Sequence, residues 1–400
     1  MAAAAEEQGP LYTRALVAAI AITIAIHVAT YLLQAVLPFH ASALGATGTQ
    51  VGFLFSMNAG VAMFLRPAVG GWVDRYGVRV VLLPGVVVLA LTSLAFHAAE
   101  TPAVLIALMA GIGLSNGLVS TAAGVLASQA TVPARRGEAL GVYYVATSLA
   151  TAVAAPGGIT LYRWGGIRPA YVLVTALAIA LAALTLGMTP RGPLGSPAAS
   201  ARFRFWSRRA LGPAGVMVLL TVGWSSIVGF VPLHAVRHGL DGVLPWFFGI
   251  YSGWLLLCRI LLRRLSDQVG RQRVLVPAMA ATALGFLLLA VLMPPTATSL
   301  LVVAFLLGTG ASLTYPTMVA LLVDRTPDRE RGLAMGTLSA SWDVGVVVGS
   351  ALVGAVIERA SFGTGFGVGA AGAWAAIALF LALERRHARA PAYSRRAAGV

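Results

Sequence analysis

The sequence predicts an all-α polytopic membrane protein, with twelve transmembrane helices forming two six-helix bundles related by a parallel repeat. Three observations carry this. The 400 residues are 58% hydrophobic and only 10% charged, against about a quarter charged in an average soluble domain. The apolar residues fall into twelve runs of about 20 residues, the length a helix rising about 1.5 Å per residue needs to cross a hydrocarbon core. Finally, motifs of the first half return in the second: RPAVGGWVDRYGVR, from Arg66 to Arg79, comes back as RILLRRLSDQVGRQR, from Arg259 to Arg273. Arg66, Asp74 and Gly77 align with Arg259, Asp267 and Gly270 at a single offset.

Taken in order, the runs cover 14–38, 49–71, 80–97, 103–127, 138–160 and 169–188, then 212–236, 245–264, 273–293, 299–323, 332–357 and 364–383. Ala41-Ser42-Ala43 resembles a signal cleavage site. The first run is too long for a signal h-region, however, and MAAAAEEQGP lacks a basic n-region, so a retained first helix is expected. Between the two sets lies Thr189–Leu211, holding Pro190, Pro193, Gly195, Pro197 and five Arg, a composition that breaks helices and stays solvated. The expected division is a bundle over 12–188, a linker over 189–211, a second bundle over 212–386 and a tail over 387–400. Further pairs extend the repeat: Pro38 and His40 with Pro232 and His234, Gly111, Gly113 and Ser115 with Gly308, Gly310 and Ser312, and Arg136, Gly137 and Gly141 with Arg331, Gly332 and Gly336. Halves of six helices share one orientation, so the repeat is parallel, with its axis along the membrane normal.

The net charge of +15 does not point to nucleic acid, because the basic residues are spread through short turns instead of gathering on one soluble face. All 28 are arginine, and all but Arg163, Arg168, Arg237 and Arg359 belong to the ends, the linker and the 2–3, 4–5, 8–9 and 10–11 turns. By the positive-inside rule that side is cytoplasmic, and both termini with it. Cys258, alone in an apolar run, allows no internal disulfide or cysteine metal site. No P-loop, G-x-S-x-G or H-E-x-x-H occurs, so neither ATP-driven transport nor common hydrolase chemistry has support, and no catalytic residue, metal or cofactor is expected.

The charged turn resembles the loop 2–3 signature of the major facilitator superfamily, G-x-x-x-D-R-x-G-R-R, carried here by Gly70, Asp74, Arg75, Gly77 and Arg79, with Val78 where a basic residue is usual. In the second copy Asp267, Gly270, Arg271 and Arg273 remain, while Arg263 and Gln268 depart from the pattern. The resemblance spans roughly residues 12 to 386 and implies secondary transport by alternating access. It also implies that Asp74 and Asp267 meet the positive ends of helices in the opposite half, near Gly332 and Gly137. A carboxylate gains about 0.3–1 kcal/mol at such an end, so these contacts would latch the cytoplasmic side shut, with Arg66 and Arg259 joining the network. Ala154-Ala155-Pro156-Gly157-Gly158 only faintly resembles the Gly-Pro signature of family exporters, and span 4 has Ser115 and Asn116 where drug–proton antiporters carry an arginine.

Polar residues mark the candidate transport site. The third and sixth spans of each half are nearly bare, with only Thr282 in 273–293, and are expected to face lipid; the polar spans are expected to face a cavity. In span 1, Thr23, His27, Thr30, Tyr31 and Gln34 share one helical face. Asn116 and Ser120, then Tyr144, Thr147, Ser148 and Thr151, then Thr221, Trp224 and Ser225, then Ser312 and Tyr315 extend the set. A lone hydroxyl in a membrane helix commonly just bonds its own backbone. Asp343 is the sharpest signal: eleven residues beyond Gly332, at about 1.5 Å each, place it roughly 16 Å deep, near the bilayer centre. An intramembrane carboxylate is functional by default, so Asp343 is the first proton-coupling candidate and His27 the second. Ser339, Asp343 and Ser350 form a polar stripe; Gly345 and Gly349 lie on another face, spaced for close helix contact.

The expected activity is therefore proton-coupled efflux of a small, fairly apolar compound by a monomer in a cell membrane, the bacterial inner membrane. The alternatives are a proton-linked importer of a sugar or other neutral metabolite, and a non-transporting sensor or scaffold with the same fold. The partners are the lipid bilayer, the substrate and protons, with no nucleic acid.

Overall fold

In hydrocarbon every backbone N–H and C=O must be satisfied within its own segment, which is why each apolar run folds as a helix. The computed structural model describes residues 11–130, 135–189, 207–224, 226–262, 265–292 and 294–389, without the side chains at 74, 136–138, 266–267, 328–329, 331–332 and 388–389. Among the described residues, twelve helical spans are long and apolar enough to cross a membrane, each over one of the runs read from the sequence. The first six are α1 (Arg14–Ala43), α2 (Gly48–Tyr76), α3 (Val78–Ala95), α4 (Pro102–Gln129), α5 (Arg136–Gly165) and α6 (Arg168–Met188). The seventh departs from the expected continuous helix: α7 (Leu211–Thr221) stops, and a π-helical segment, Ser226–Phe230, leads into α8 (Val231–Arg237). Then come α9 (Leu244–Leu261), the short α10 (Leu265–Val269), α11 (Arg271–Val291), α12 (Ala297–Asp324), α13 (Asp328–Arg359) and α14 (Phe362–Arg389).

Local chemistry sets the boundaries. Thr13 and Thr101 accept the N–H groups of Leu16 and Val104 at 3.1 and 3.4 Å, and Thr296 and Ser299 cap α12 reciprocally. Both copies of the charged turn end on a glycine, Gly77 with φ 88° and Gly270 with φ 96°, each just before the next helix. Side chains rarely tolerate that conformation, so glycine recurs in the motif for a backbone reason.

The chain forms two compact units, Met1–Leu44 with Gly60–Arg202, and Gly45–Ala59 with Phe203–Val400, so α2 divides between Ala59 and Gly60. In the first unit α1 packs on α4, α5 and α6, and α3 on α4 and α6. The second repeats this scheme, with α7 on α13 and α14 and α11 on α12 and α14. The repeat reaches individual side chains. His40 meets Tyr171 edge-on at 6.0 Å in the first unit, and its counterpart His234 meets Phe366 edge-on at 5.6 Å in the second. Val80, Val87, Leu91 and Leu94 of α3 and Val172, Ile179 and Leu186 of α6 are exposed, apolar surface suited to lipid.

Residues 45–59 belong to the second unit because glycine lets backbones touch. A Cβ on Gly48 would stand 2.8 Å from the Gly354 carbonyl oxygen, and one on Gly52 would collide with the Ser350 carbonyl. Ser56 donates to the Val347 carbonyl at 2.8 Å, and Glu358 Oε2 accepts the Thr49 N–H at 2.8 Å, closing the first turn of α2. Gly345 and Gly349 serve the same purpose between α13 and α7, where added Cβ atoms would fall on Thr221, on the Val218 carbonyl and on the Val222 backbone. At one end of this unit Arg325 grips Glu384 with two parallel hydrogen bonds of 2.6 and 2.8 Å, tying α12 to α14.

Candidate substrate and coupling site

The first unit holds the α1 stripe. Thr23 is fully buried, and the His27 Nδ1–H donates to its carbonyl at 2.8 Å, which makes Nε2 the basic nitrogen of the neutral ring. The His27 ring stacks on Tyr31 at 5.9 Å, one turn on, and Gln34 is buried farther along the helix. Around them the α5 hydroxyls are used locally. Thr147, Ser148 and Thr151 donate to the carbonyls of Tyr143, Tyr144 and Thr147, and Ser120 donates to that of Asn116. Tyr144 is exposed, and it is the neighbouring Tyr143 that is buried, its hydroxyl donating to the Ser120 carbonyl at 3.2 Å. The buried member of the pair is thus not the one that helical spacing picks out.

The second unit encloses a cavity of about 50 Å³ between α7, the residues after it, α11, α12 and α13, lined by Trp224, Tyr315 and Trp342 among others. Trp224 and Tyr315 were legible as site residues. Trp342, Phe286, Thr282 and Thr314, which also line it, were not. The presence of Thr282 and Phe286 corrects the reading of α11 as a helix that faces only lipid: a Cβ on Gly310 would strike Thr282, so α12 approaches closely enough to draw that face of α11 inward. The break after α7 puts Trp224 in the wall. Gly223 lacks a side chain, and the Phe286 ring packs where its Cβ would be, 2.5–3.0 Å away.

The rings are held in place. Trp342 meets Trp224 at 5.2 Å and 62°, and Tyr315 at 5.9 Å and 85°, so the three stand edge to face. The Tyr315 hydroxyl lies 3.1 Å from Ser339 Oγ. Asp343 follows Trp342 directly, sits one turn beyond Ser339, and is 5% exposed. Of the other expected residues, Ser312 is buried and donates to the Thr309 carbonyl at 2.8 Å, Ser350 is buried where Gly52 crosses, and Ser225 lies outside the described residues.

Among the expected gate residues, Arg66, Gly70, Arg79 and Arg259 are half-buried, Arg75 lies over the Tyr76 ring at 5.3 Å, Arg271 pairs with Asp324 at 3.1 Å, and Arg273 is exposed. The Asp74 and Asp267 side chains lie outside the described residues, as does most of the linker. Among the described residues no group of three or more His, Cys, Asp or Glu could hold a metal ion.

The family model "Major Facilitator Superfamily" matches residues 19–262 and 242–399. A relative from Escherichia coli K12, the uncharacterized MFS-type transporter YhhS, is 24% identical over 340 residues, 82% of each chain. Among solved structures, the nucleoside transporter NupG superposes with a TM-score of 0.72 at 15% identity, covering 91% of this chain and 99% of that one. The human organic anion transporter MFSD10 (TETRAN) gives 0.65 at 18%, covering 93% and 100%. These two neighbours carry different substrates on one fold, and the likeness extends to the fold alone.

Proposed function

Because the chain belongs to the major facilitator superfamily, a family of membrane transporters that are not enzymes, we propose that it exports a small, fairly apolar compound by alternating access, each cycle driven by a proton moving down its gradient. One observation carries the proposal: Asp343, a carboxylate buried at mid-span depth in α13, directly follows a tryptophan that walls an aromatic cavity. An acid in that position can take a proton from one side and release it to the other when water reaches it, which couples the cavity's state to a gradient. His27 is the second candidate, hydrogen-bonded to the carbonyl of buried Thr23 and stacked on Tyr31. The apolar lining supports a compound with much ring or alkyl surface. The Arg asymmetry supports cytoplasmic termini, and the bacterial relative supports an inner-membrane location.

The test is pH-jump transport in proteoliposomes, parent against Asp343→Asn. Asparagine keeps size and hydrogen bonding but fixes a neutral form, so energy-independent exchange should persist while gradient-driven accumulation is lost. A variant that still concentrates substrate under a proton gradient would exclude Asp343 as the coupling group and turn attention to His27. Direction is read from the same vesicles, with the protein inserted in either sense; accumulation only toward the cytoplasmic face would make this an importer of a neutral metabolite.

A further inference from the structure

We infer that His234 and His238 form a binding site for a divalent transition-metal ion, at the end of α8 and so at the opposite end of α9 from the charged turn 259–273. The first ground is an unused pair of ligand atoms. His234 is 2% exposed, and neither of its ring nitrogens has a hydrogen-bond partner, whereas buried polar groups are almost always paired. The repeat supplies a comparison. His40, the counterpart in the first unit, is half-buried and hydrogen-bonds the Ala99 backbone. Packing a histidine among aromatic rings at this position therefore does not require leaving its nitrogens bare.

The second ground is the neighbour. His238 follows four residues later as the C-cap of α8, the spacing at which a helix presents two imidazoles to one ion. Four residues after His40 stands Leu44, so the first unit has no such pair. The His238 ring is already oriented as a ligand. Its Nδ1–H donates to the His234 carbonyl at 2.9 Å, which leaves the Nε2 lone pair outward, the arrangement common to metal-bound histidines. The third ground is spacing. Nitrogens about 2.0–2.1 Å from a shared ion put two ring centres about 4.5 Å apart at a right angle of coordination and about 5.2 Å apart at a tetrahedral one. The two centres stand 4.5 Å apart, with their planes inclined at 64°. A right angle suits the tetragonal preference of Cu²⁺ and Ni²⁺, and imidazole selects against Mg²⁺ and Ca²⁺, which take oxygen. His238 is exposed and gives the ion its way in, while Phe362 and Phe366 flank His234 at 5.0 and 5.6 Å. Two protein ligands leave the other positions to water. Arg237, over the Phe362 ring at 4.9 Å, adds a nearby positive charge, so the ion is held modestly and exchanges.

The experiment is titration of the purified full chain, free of any histidine tag, with Cu²⁺ in detergent, read by electron paramagnetic resonance. The tightest site should take one ion per chain with two imidazole nitrogens around it, and excess Ca²⁺ should not displace it. His234→Gln and His238→Gln should each weaken that site at least about tenfold and lower the nitrogen count to one, while His97→Gln should leave affinity and count unchanged. Full affinity in His238→Gln, or a single nitrogen in the parent, would overturn the inference and leave His234 a packing residue. Should His234→Gln fail to fold, His238→Gln, a change at an exposed position, decides alone. The titration needs neither substrate nor gradient, so its outcome bears on this site and not on the transport reading.

Discussion

Gly349→Ala tests whether the tight crossing of α13 on α7 is a structural necessity. A methyl there would stand 2.6 Å from the Val222 carbonyl carbon, and one on Gly345 would stand 2.6 Å from the Val218 carbonyl oxygen. Both neighbours are backbone, so a whole segment must move to make room. Overpacking of this kind costs about 1–3 kcal/mol, offset by about 0.5–1 kcal/mol from replacing a mid-helix glycine. Gly336, on the same helix, has nothing within 4 Å of where a Cβ would stand, so Gly336→Ala carries the propensity gain without the clash. The two variants should therefore differ by the overpacking cost alone, about 1–3 kcal/mol, with Gly349→Ala the less stable. Thermal unfolding in dodecylmaltoside micelles reads the difference directly. Ligand binding should fall as well, because Val222 lies two residues before Trp224 and its displacement moves the cavity wall. Indistinguishable melting of the two alanine variants would refute the close-contact argument.

Other outcomes follow from single contacts. A reporter fused after residue 390, or inserted within 195–200, should be cytoplasmic, and an external result at either place would overturn the orientation taken from the Arg distribution. Glu358→Ala removes the acceptor of the Thr49 N–H, so hydrogen exchange over 47–51 should quicken several-fold while α13 itself stays protected; unchanged exchange would mean the cap is idle. Gly229→Ala alone should destabilise, because its methyl would meet the Phe55 ring at 2.5–2.9 Å; joined with Phe55→Ala it should let regular α-helix spread into 226–230, seen as slower exchange there.

Much of the architecture was legible because it depends on solvent. Twelve apolar runs and a repeated charged turn need no knowledge of side-chain packing, and glycine at 77 and 270 announces a backbone conformation. A close helix contact of α13 was also readable, from Gly345 and Gly349, but not that its partner is α7. The site was legible only in part. Asp343, Tyr315, Trp224 and Ser339 stood out by polarity or depth, and all four fall in or beside one region of the second unit. Periodicity says which residues share a helix face and not which face meets which. Trp342 and Phe286 therefore looked like ordinary apolar residues, and Thr147, Ser148 and Thr151, expected to face a cavity, each donate to a carbonyl of their own helix.

The break in the seventh span could have been read from the repeat itself. Aligned through Pro38 and His40 with Pro232 and His234, residues Ala29, Thr30 and Ala35 of the first half correspond to Gly223, Trp224 and Gly229 of the second. The first copy is α-helical from Arg14 to Ala43, while the second is interrupted between Thr221 and Val231. Each glycine weakens a helix by about 1 kcal/mol against alanine, and each leaves room for an aromatic ring, Phe286 at Gly223 and Phe55 at Gly229, that an alanine methyl would exclude. The two changes act together: the weakened helix gives way where the rings push in. The position that is a small hydroxyl on a regular helix in one half thus becomes a tryptophan in a cavity wall in the other. Residues the halves share maintain the fold, while Trp224, which lines the cavity of the second unit, stands where the halves differ, which is why a motif search finds the family and passes over that position.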